Sequence, residues 1–312
     1  MSADPVYVFT ARFNPLRWKT PHKHFEDWAK ATLDHGARVV VAEVQYGGAP
    51  FLCADIPHVQ HIGLRADSWA WSKENAIMEA IRRTPQAQKI VWEDADVFHR
   101  NPNWVSETSA YLEHYRVLQT WENAMDLGPN DELIALHRSF ADCFLHGSKL
   151  APGGPSFWKA DGGPYDYPHS GFSWGCTRAF LDYVGGLFEL GGMGSADHHM
   201  ALAIAGLVES SWPGGTSASY KAHLLRWQDR TRRFVNGRFA AVPGMIEHRF
   251  HGKKQKRGYL SRWDMFVRHG FDPDTDLKRN SWGILEWAGN KPELEREWDL
   301  YLRSRAEDEN CL

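Results

Sequence analysis

A mainly parallel α/β sheet flanked by helices is the fold class that the first third of the chain predicts. Short β-branched runs alternate there with stretches of helical spacing, strand–helix–strand–helix–strand, the order that right-handed crossovers produce. One run, Val39-Val40-Val41-Ala42, is apolar without alternation, as in a strand covered on both faces. Asn14, Glu43 and Asp96 stand at or just beyond the ends of such runs, where sheets of this type bind ligands.

Val6–Thr10 reads as the first strand, followed by the loop 11–15 that carries Asn14. Pro21–His35 has helical spacing (Phe25, Trp28, Ala29, Leu33), and Gly36 supplies its stop. The strand Val39–Ala42 ends at Glu43. Ser68–Arg83 is a second helix burying Trp71, Ile77, Met78 and Ile81, with Lys73 and Glu74 near its mouth. Ile90–Trp92 is a buried strand that stops at Glu93-Asp94-Ala95-Asp96 before Val97-Phe98 resumes. Three carboxylates there repel one another and lose hydration, and a divalent cation among them relieves both. In an extended segment Asp94 and Asp96 share a face and Glu93 points away.

Asn101–His114 is predicted as a helix and Arg116–Thr120 as a strand. The stretch 147–168 is rich in Gly, Pro and aromatics, and its Trp158, Tyr165 and Tyr167 predict a mobile loop that covers a site. Gly171-Phe172-Ser173-Trp174-Gly175 matches a nucleophile elbow, with Asp197 and His248 following in hydrolase order. That chemistry needs a buried strand before the serine, and Tyr165–Ser170 makes a poor one. Gly191–Met200 is a glycine loop leading into a helix that Gly206 can end. Asp197, in or near its first turn, either complements the helix dipole or serves as a general base beside a backbone-lined cavity. Neither G-x-G-x-x-G nor G-x-x-x-x-G-K-[ST] occurs, which removes the Rossmann dinucleotide and P-loop readings. If Met245–Phe250 is a strand, His248 and His251 face opposite ways, unless an irregular turn at Gly252 reunites them. Lys253 and Arg257 belong to a basic run that is either a solvated surface or a partner for a diphosphate. Phe271–Asp276 opens like a calcium loop but lacks its glycine and closing glutamate, so it reads as a turn. Leu294–Arg305 is a terminal helix.

Composition narrows the classes. With 36 Lys+Arg against 39 Asp+Glu, no global basic field advertises nucleic acid. The 15 tryptophans offer faces for sugars or bases, although large cores use them too. Cys53, Cys143, Cys176 and Cys311 lack metal-like or disulfide-like spacing, which suits a reducing cytoplasm. No apolar run reaches membrane-spanning length, and the first residues carry no leader pattern.

Together, the strand ending in Asp94-Ala95-Asp96, the glycine loop with Asp197, and the late histidine followed by basic residues resemble a GT-A-fold glycosyltransferase over roughly residues 5 to 265. Gly192–His198 is similar to the Gly-Gly-Glu-Asp-Asp loop of the β-1,4-galactosyltransferase-like group, and Met245-Ile246-Glu247-His248 to its Met-x-x-His metal element. The chain also looks like bacterial and phage glycosyltransferase-like proteins. The resemblance implies a GT-A-like domain over 1–265, with 1–120 the nucleotide-sugar half and 121–265 the acceptor and catalytic half. A C-terminal helical extension over 266–312 follows. It implies Mn²⁺ or Mg²⁺ on Asp96 and His248, with His251 the alternative ligand and Asp94 on the metal, ribose or donor sugar. Asp197 would be the base. Asn14 and Glu43 would hold the base and ribose of a UDP-sugar, and Lys73, Lys253 and Arg257 would meet its phosphates. His198-His199 departs from the group's acidic residues and leaves the base and donor sugar open. The implied reaction is transfer to a hydroxyl, with inversion, the acceptor being a glycan, lipid-linked glycan, protein or hydroxylated nucleobase in DNA. The competing readings are a serine hydrolase on Ser173, Asp197 and His248, a nucleotidyltransferase, and a non-catalytic carbohydrate- or nucleotide-binding protein.

Overall fold

The computed structural model describes residues 4–146 and 168–308. Strand β1 (Val6–Phe13) leads through helix α1 (Thr20–Asp34) to β2 (Arg38–Tyr46) and β3 (Gln60–Ala66). Helix α2 (Lys73–Arg82) returns the chain to β4 (Lys89–Glu93), a turn, and the short β5 (Val97–His99). After α3 (Trp104–Tyr111) come β6 (Val117–Gln119), β7 (Asn123–Leu127), β8 (Leu133–Arg138) and α4 (Phe140–Leu145). Beyond residue 168 follow β9 (Ser173–Thr177), α5 (Arg178–Val184), α6 (Ala196–Ala205), α7 (Ala218–Val235), β10 (Phe239–Ala241) and β11 (Met245–His248). The described chain closes with α8 (Tyr259–Arg268), α9 (Pro273–Asp276), a hairpin of β12 (Leu277–Arg279) and β13 (Leu285–Trp287), and α10 (Pro292–Ser304).

Seven strands form the central sheet in the order β10-β6-β9-β4-β1-β2-β3. Its pairs are parallel except where β9 runs against β4 and β6, so the sheet is mixed and mainly parallel as expected. Alternation along β2 divides the core. Val39 and Val41 face α1 and pack with its Phe25, Trp28 and Ala29, whereas Val40 and Ala42 share a core with Ile77, Met78 and Ile81 of α2. Apolar side chains on both faces explain the unbroken run. A second sheet, β5-β11-β7-β8, carries β11 beside β7 in parallel register, His248 opposite Asp126.

Several boundaries differ from the sequence reading. β2 continues to Tyr46, so Glu43 lies inside the strand, paired with Arg12 and Gly63, rather than at its end. Ser173 opens β9, in register with Glu93 of β4, and does not sit on an elbow. The strand at β11 stops at His248. The region beyond 265 holds the expected helix α10 and also the hairpin, and Phe266, Phe271, Trp287 and Trp298 join the core that contains α2. The predicted covering loop, with Trp158, Tyr165 and Tyr167, lies outside the described residues. Among the described residues no helix is long and apolar enough to cross a membrane.

Candidate functional site

Strand order reverses at the junction of β1 and β4: the chain runs outward from β1 through β2 to β3, then returns to β4 on the other side. A crevice beyond the carboxyl ends of such strands is where α/β sheets take ligands. Glu93, the last residue of β4, points away from this crevice as alternation requires. Its buried carboxylate accepts from Trp28 Nε1 (2.6 Å) and His99 Nε2 (2.8 Å). Asp94 to Asp96 form a turn. Asp94 N–H donates to the Phe172 carbonyl (2.9 Å), Val97 N–H to the Asp94 carbonyl (3.2 Å), and Arg249 N–H to the Asp96 carbonyl (2.9 Å). The extended geometry expected there is absent, so Asp94 and Asp96 diverge toward different partners. Phe172, which supplies the first anchor, holds a left-handed backbone (φ 75°) that costs a non-glycine residue about 1–2 kcal/mol.

Asp96 turns toward β11. Its Oδ2 lies 2.7 Å from His251 Nε2 and 3.7 Å from His248 Nε2, and one ligand atom from each of the three residues falls within 4.8 Å of the others. The strand ends at His248 and Gly252 takes φ 88°, so the two imidazoles meet instead of facing apart, their ring centroids 5.6 Å from each other. His248 and His251 are therefore both placed on Asp96.

This cluster fits a divalent cation. Asp96 Oδ1 is buried without a hydrogen-bond partner among the described residues. His251 Nε2 is approached by Asp96 Oδ2 and, at 2.8 Å, by Arg257 Nη2. A neutral ring accepting from Arg257 leaves its nitrogen facing a carboxylate lone pair, and a protonated ring meets the guanidinium head-on. A cation at the Asp96 side removes the first conflict. Burial lowers the His248 pKa to about 3, which keeps the ring neutral and its nitrogen free to ligate. Burial alone would raise the Asp96 carboxyl, but His251, His248 and Arg257 outweigh it and hold the group well below the usual carboxylate range.

Asp94 forms the second half of the site. It pairs with Lys73 Nζ at the start of α2 and lies outside the three-residue cluster. Burial, with Asp96 and Asp197 nearby, raises its pKa against the pull of Lys73. Burial would lower the Lys73 pKa, yet Asp94, Glu74 and Asp197 raise it. Glu74, buried beside Lys73, is pushed up to about 7 by burial, an effect that Lys73 opposes and Asp197 reinforces. Asp197 sits in the first turn of α6, entered through left-handed Gly194 and Ser195 (φ 87° and 67°). Its Oδ1 accepts from His198 N–H (2.9 Å), and its Oδ2 lies against Gly171, where a Cβ would come within 2.6 Å. Lys73, Glu74, Asp94 and Asp197 thus act on one another electrostatically.

The remaining expected residues lie elsewhere or are occupied. Asn14, just past β1, spends its amide on the loop, accepting from Trp18 N–H (3.0 Å) and donating to Trp18 O (2.8 Å). Glu43 is fully buried, and its oxygens accept from the amides of Leu52 (2.7 Å) and Cys53 (3.0 Å) and from Gln45 Nε2 (2.7 Å). His61 Nε2 lies 2.9 Å from the same carboxylate. Glu43 therefore pins the segment after β2. Lys253 is exposed, whereas Arg257 reaches His251. The hydroxyl of Ser173 is buried against Thr120 Oγ1 (2.6 Å), and His248 spends its Nδ1 on Asp126. The serine–histidine contact that a hydrolase needs is not made.

Sequence reasoning missed four contributors. Asp126 of β7 bridges His248 Nδ1 (2.7 Å) and His137 Nε2 (3.2 Å) from beneath the cluster. Glu307, beyond α10, reaches His251 Nδ1 at 3.6 Å. His24 of α1 lies in the field of Asp96, His251 and His248, and burial lowers its pKa to about 4. Asp126 and Glu307 sit in segments with no motif.

No protein-family model and no curated protein sequence matches the chain. Among solved structures the chain is similar to a candidate nucleotide-diphospho-sugar transferase from Desulfovibrio desulfuricans, at 12% identity over 98% of this chain and 99% of that one, with a TM-score of 0.34. It is similar to the catalytic domain of Drosophila β-1,4-galactosyltransferase 7, crystallised with xylobiose, at 11% identity over 93% and 98% of the two chains, with a TM-score of 0.44. A glycosyltransferase involved in glycosylation of the major capsid of PBCV-1 matches at 8% identity over 81% and 96%, with a TM-score of 0.34. Likeness at these values transfers no residue, so each site residue stands on this chain's own geometry.

Proposed function

We propose that the chain is a metal-dependent glycosyltransferase that moves a sugar from a UDP-sugar donor to a hydroxyl acceptor with inversion. The observation that carries this reading is the convergence of Asp96, His248 and His251 at the strand-order reversal, next to the separate acidic group of Asp94 and Asp197. Asp96, His248 and His251 would hold Mn²⁺ or Mg²⁺. Two imidazoles beside one carboxylate favour Mn²⁺ over Mg²⁺, which prefers oxygen ligands. Bound there, the ion supplies charge stabilisation to the departing diphosphate.

The chain's own residues do the rest. Asp197 takes the proton of the acceptor hydroxyl. The acceptor oxygen bonds to the anomeric carbon while the bond to the diphosphate oxygen breaks, and that electron pair leaves with the nucleotide. A single displacement with one base inverts the anomeric centre. Asp94, held by Lys73, contacts the ribose or donor sugar, and Arg257 and Lys253 offer positive charge to the phosphates. Residues 1–120 form the donor half and 121–265 the acceptor half, with a glycan or a hydroxylated nucleobase as acceptor. Cys53 and Cys176 are free, buried thiols, which suits the cytoplasm.

The test is a panel of nucleotide-sugars with Mn²⁺ or with EDTA, read by donor hydrolysis and thermal shift. A UDP-sugar should stabilise and turn over only with metal, and Asp96→Asn should abolish both responses while the metal-free protein still unfolds cooperatively. Turnover that persists in EDTA, or a panel with no response, would overturn the reading.

A further inference from the structure

The two imidazoles on Asp96 share one arrangement. Each turns Nε2 inward toward Asp96 Oδ2 and Nδ1 outward toward a carboxylate. For His248 that carboxylate is Asp126 Oδ1, at 2.7 Å. For His251 it is Glu307 Oε2, at 3.6 Å, facing a buried Nδ1 that makes no shorter hydrogen bond among the described residues. Metal-binding histidines are commonly oriented by such an outer carboxylate, which accepts the Nδ1–H, sets the tautomer and leaves the Nε2 lone pair for the ion.

Glu307 arrives by a built path. Ala306 takes a left-handed backbone (φ 45°) after α10 and turns the tail inward. Arg305 Nη2 lies 2.5 Å from Glu307 Oε1, and its guanidinium stands over the Trp71 ring at 5.4 Å. The carboxylate of Asp308 accepts from the backbone N–H groups of Lys19 (3.0 Å) and Thr20 (2.8 Å) at the start of α1. On the other side, a Cβ at Gly252 would meet Glu307 Cα at 3.2 Å and the Ala306 carbonyl at 3.3 Å, so glycine lets the tail lie against the His251 loop. Glu307 ends only 8% exposed. A charged residue so near the end of the described chain, buried and aimed at a candidate ligand, calls for a role there.

We propose that Glu307 positions His251 as a metal ligand, which makes the tail after α10 part of the metal centre. Glu307 draws Nδ1–H to its own side of the ring and so keeps Nε2, the atom beside Asp96, turned toward the ion. This rests on the metal reading given above.

The experiment is Mn²⁺ titration of the full chain, followed by calorimetry, for wild type, Glu307→Gln, His251→Ala and the double variant. Loss of an orienting carboxylate lowers metal affinity by about 10–100-fold. Glu307→Gln should show that loss in the wild-type background and change affinity less than about twofold once His251 is alanine, because its effect passes through that ring. Equal Mn²⁺ affinity in wild type and Glu307→Gln overturns the proposal. So does an equal loss in both backgrounds, which marks general support of the fold. Wild type that binds no Mn²⁺ overturns the metal reading itself, a result distinct from either. If Glu307→Gln does not fold, Glu307→Asp takes its place with the same expected outcome, since it keeps the charge opposite Arg305 and withdraws the oxygen from His251.

Discussion

Asp94 and Asp96 are two positions apart and meet different partners, because the turn between them sends one to Lys73 and the other to the histidines. Charge alone does not distinguish them; what surrounds each one does. Glu74 shows the same principle with a measurable consequence. Burial raises its folded pKa from 4.5 to about 7, with Lys73, Asp94 and Asp197 the charged groups acting on it. The folded state holds this proton more tightly than the unfolded chain does. Its contribution is therefore most favourable below about pH 4.5 and is lost as pH rises to about 7. Glu74→Gln replaces the proton-bearing carboxyl with a neutral amide of similar volume. It should be more stable than wild type at pH 8 by about 1–3 kcal/mol, with the gain shrinking toward pH 4.5. Urea unfolding at the two pH values measures this, and a gain independent of pH would place the effect outside Glu74 ionisation.

At the scale of elements, the site exists because segments distant in sequence end at the same place. The segment before β9 approaches the first turn of α6 so closely that a Cβ at Gly171 would meet Asp197 Oδ2 at 2.6 Å and His169 Cε1 at 3.1 Å. Gly171→Ala should push the Asp197 carboxylate aside without touching Asp96, His248 or His251. Transfer is expected to fall at least about tenfold at unchanged Mn²⁺ affinity. Asp197→Asn should fall further, by about two to four orders of magnitude, the scale of general-base catalysis. Rate assays beside metal titration test this, and a fully active Gly171→Ala would remove Asp197 from the chemistry. The nucleophile-elbow motif fails at this scale too. The strained residue is Phe172, whose carbonyl anchors Asp94, while Ser173 is absorbed into a strand. A five-letter pattern cannot report whether its serine lies on a turn or in a strand paired with a neighbour.

At the scale of the whole molecule, the metal cluster draws ligands from β11 and the loop after it onto the turn after β4, and the tail beyond α10 closes against them. An ion bound there ties these segments together only in the folded state. Mn²⁺ at about 100 times its Kd should add about 2.7 kcal/mol and raise the melting temperature by several degrees, reversibly with EDTA. No shift at any Mn²⁺ concentration would deny the site. The sequence by itself determined the α/β class, the elements β1, α1, β2, α2 and β4, and the position of Asp96 at a strand end. It could do so because unbroken apolar runs, helical spacing and turn residues are local signals of burial. It left β3, β7, β8 and α7 unread, and its two-residue alternation turned His248 and His251 apart unless a turn at Gly252 reunited them. Only the tertiary structure decided that both imidazoles face Asp96, that Glu43 and Asn14 are taken up by their own loops, and that Asp126 and Glu307 back the two rings. Those contacts join positions far apart in the chain, and no local pattern of polarity encodes a partner that arrives from another strand or from the tail.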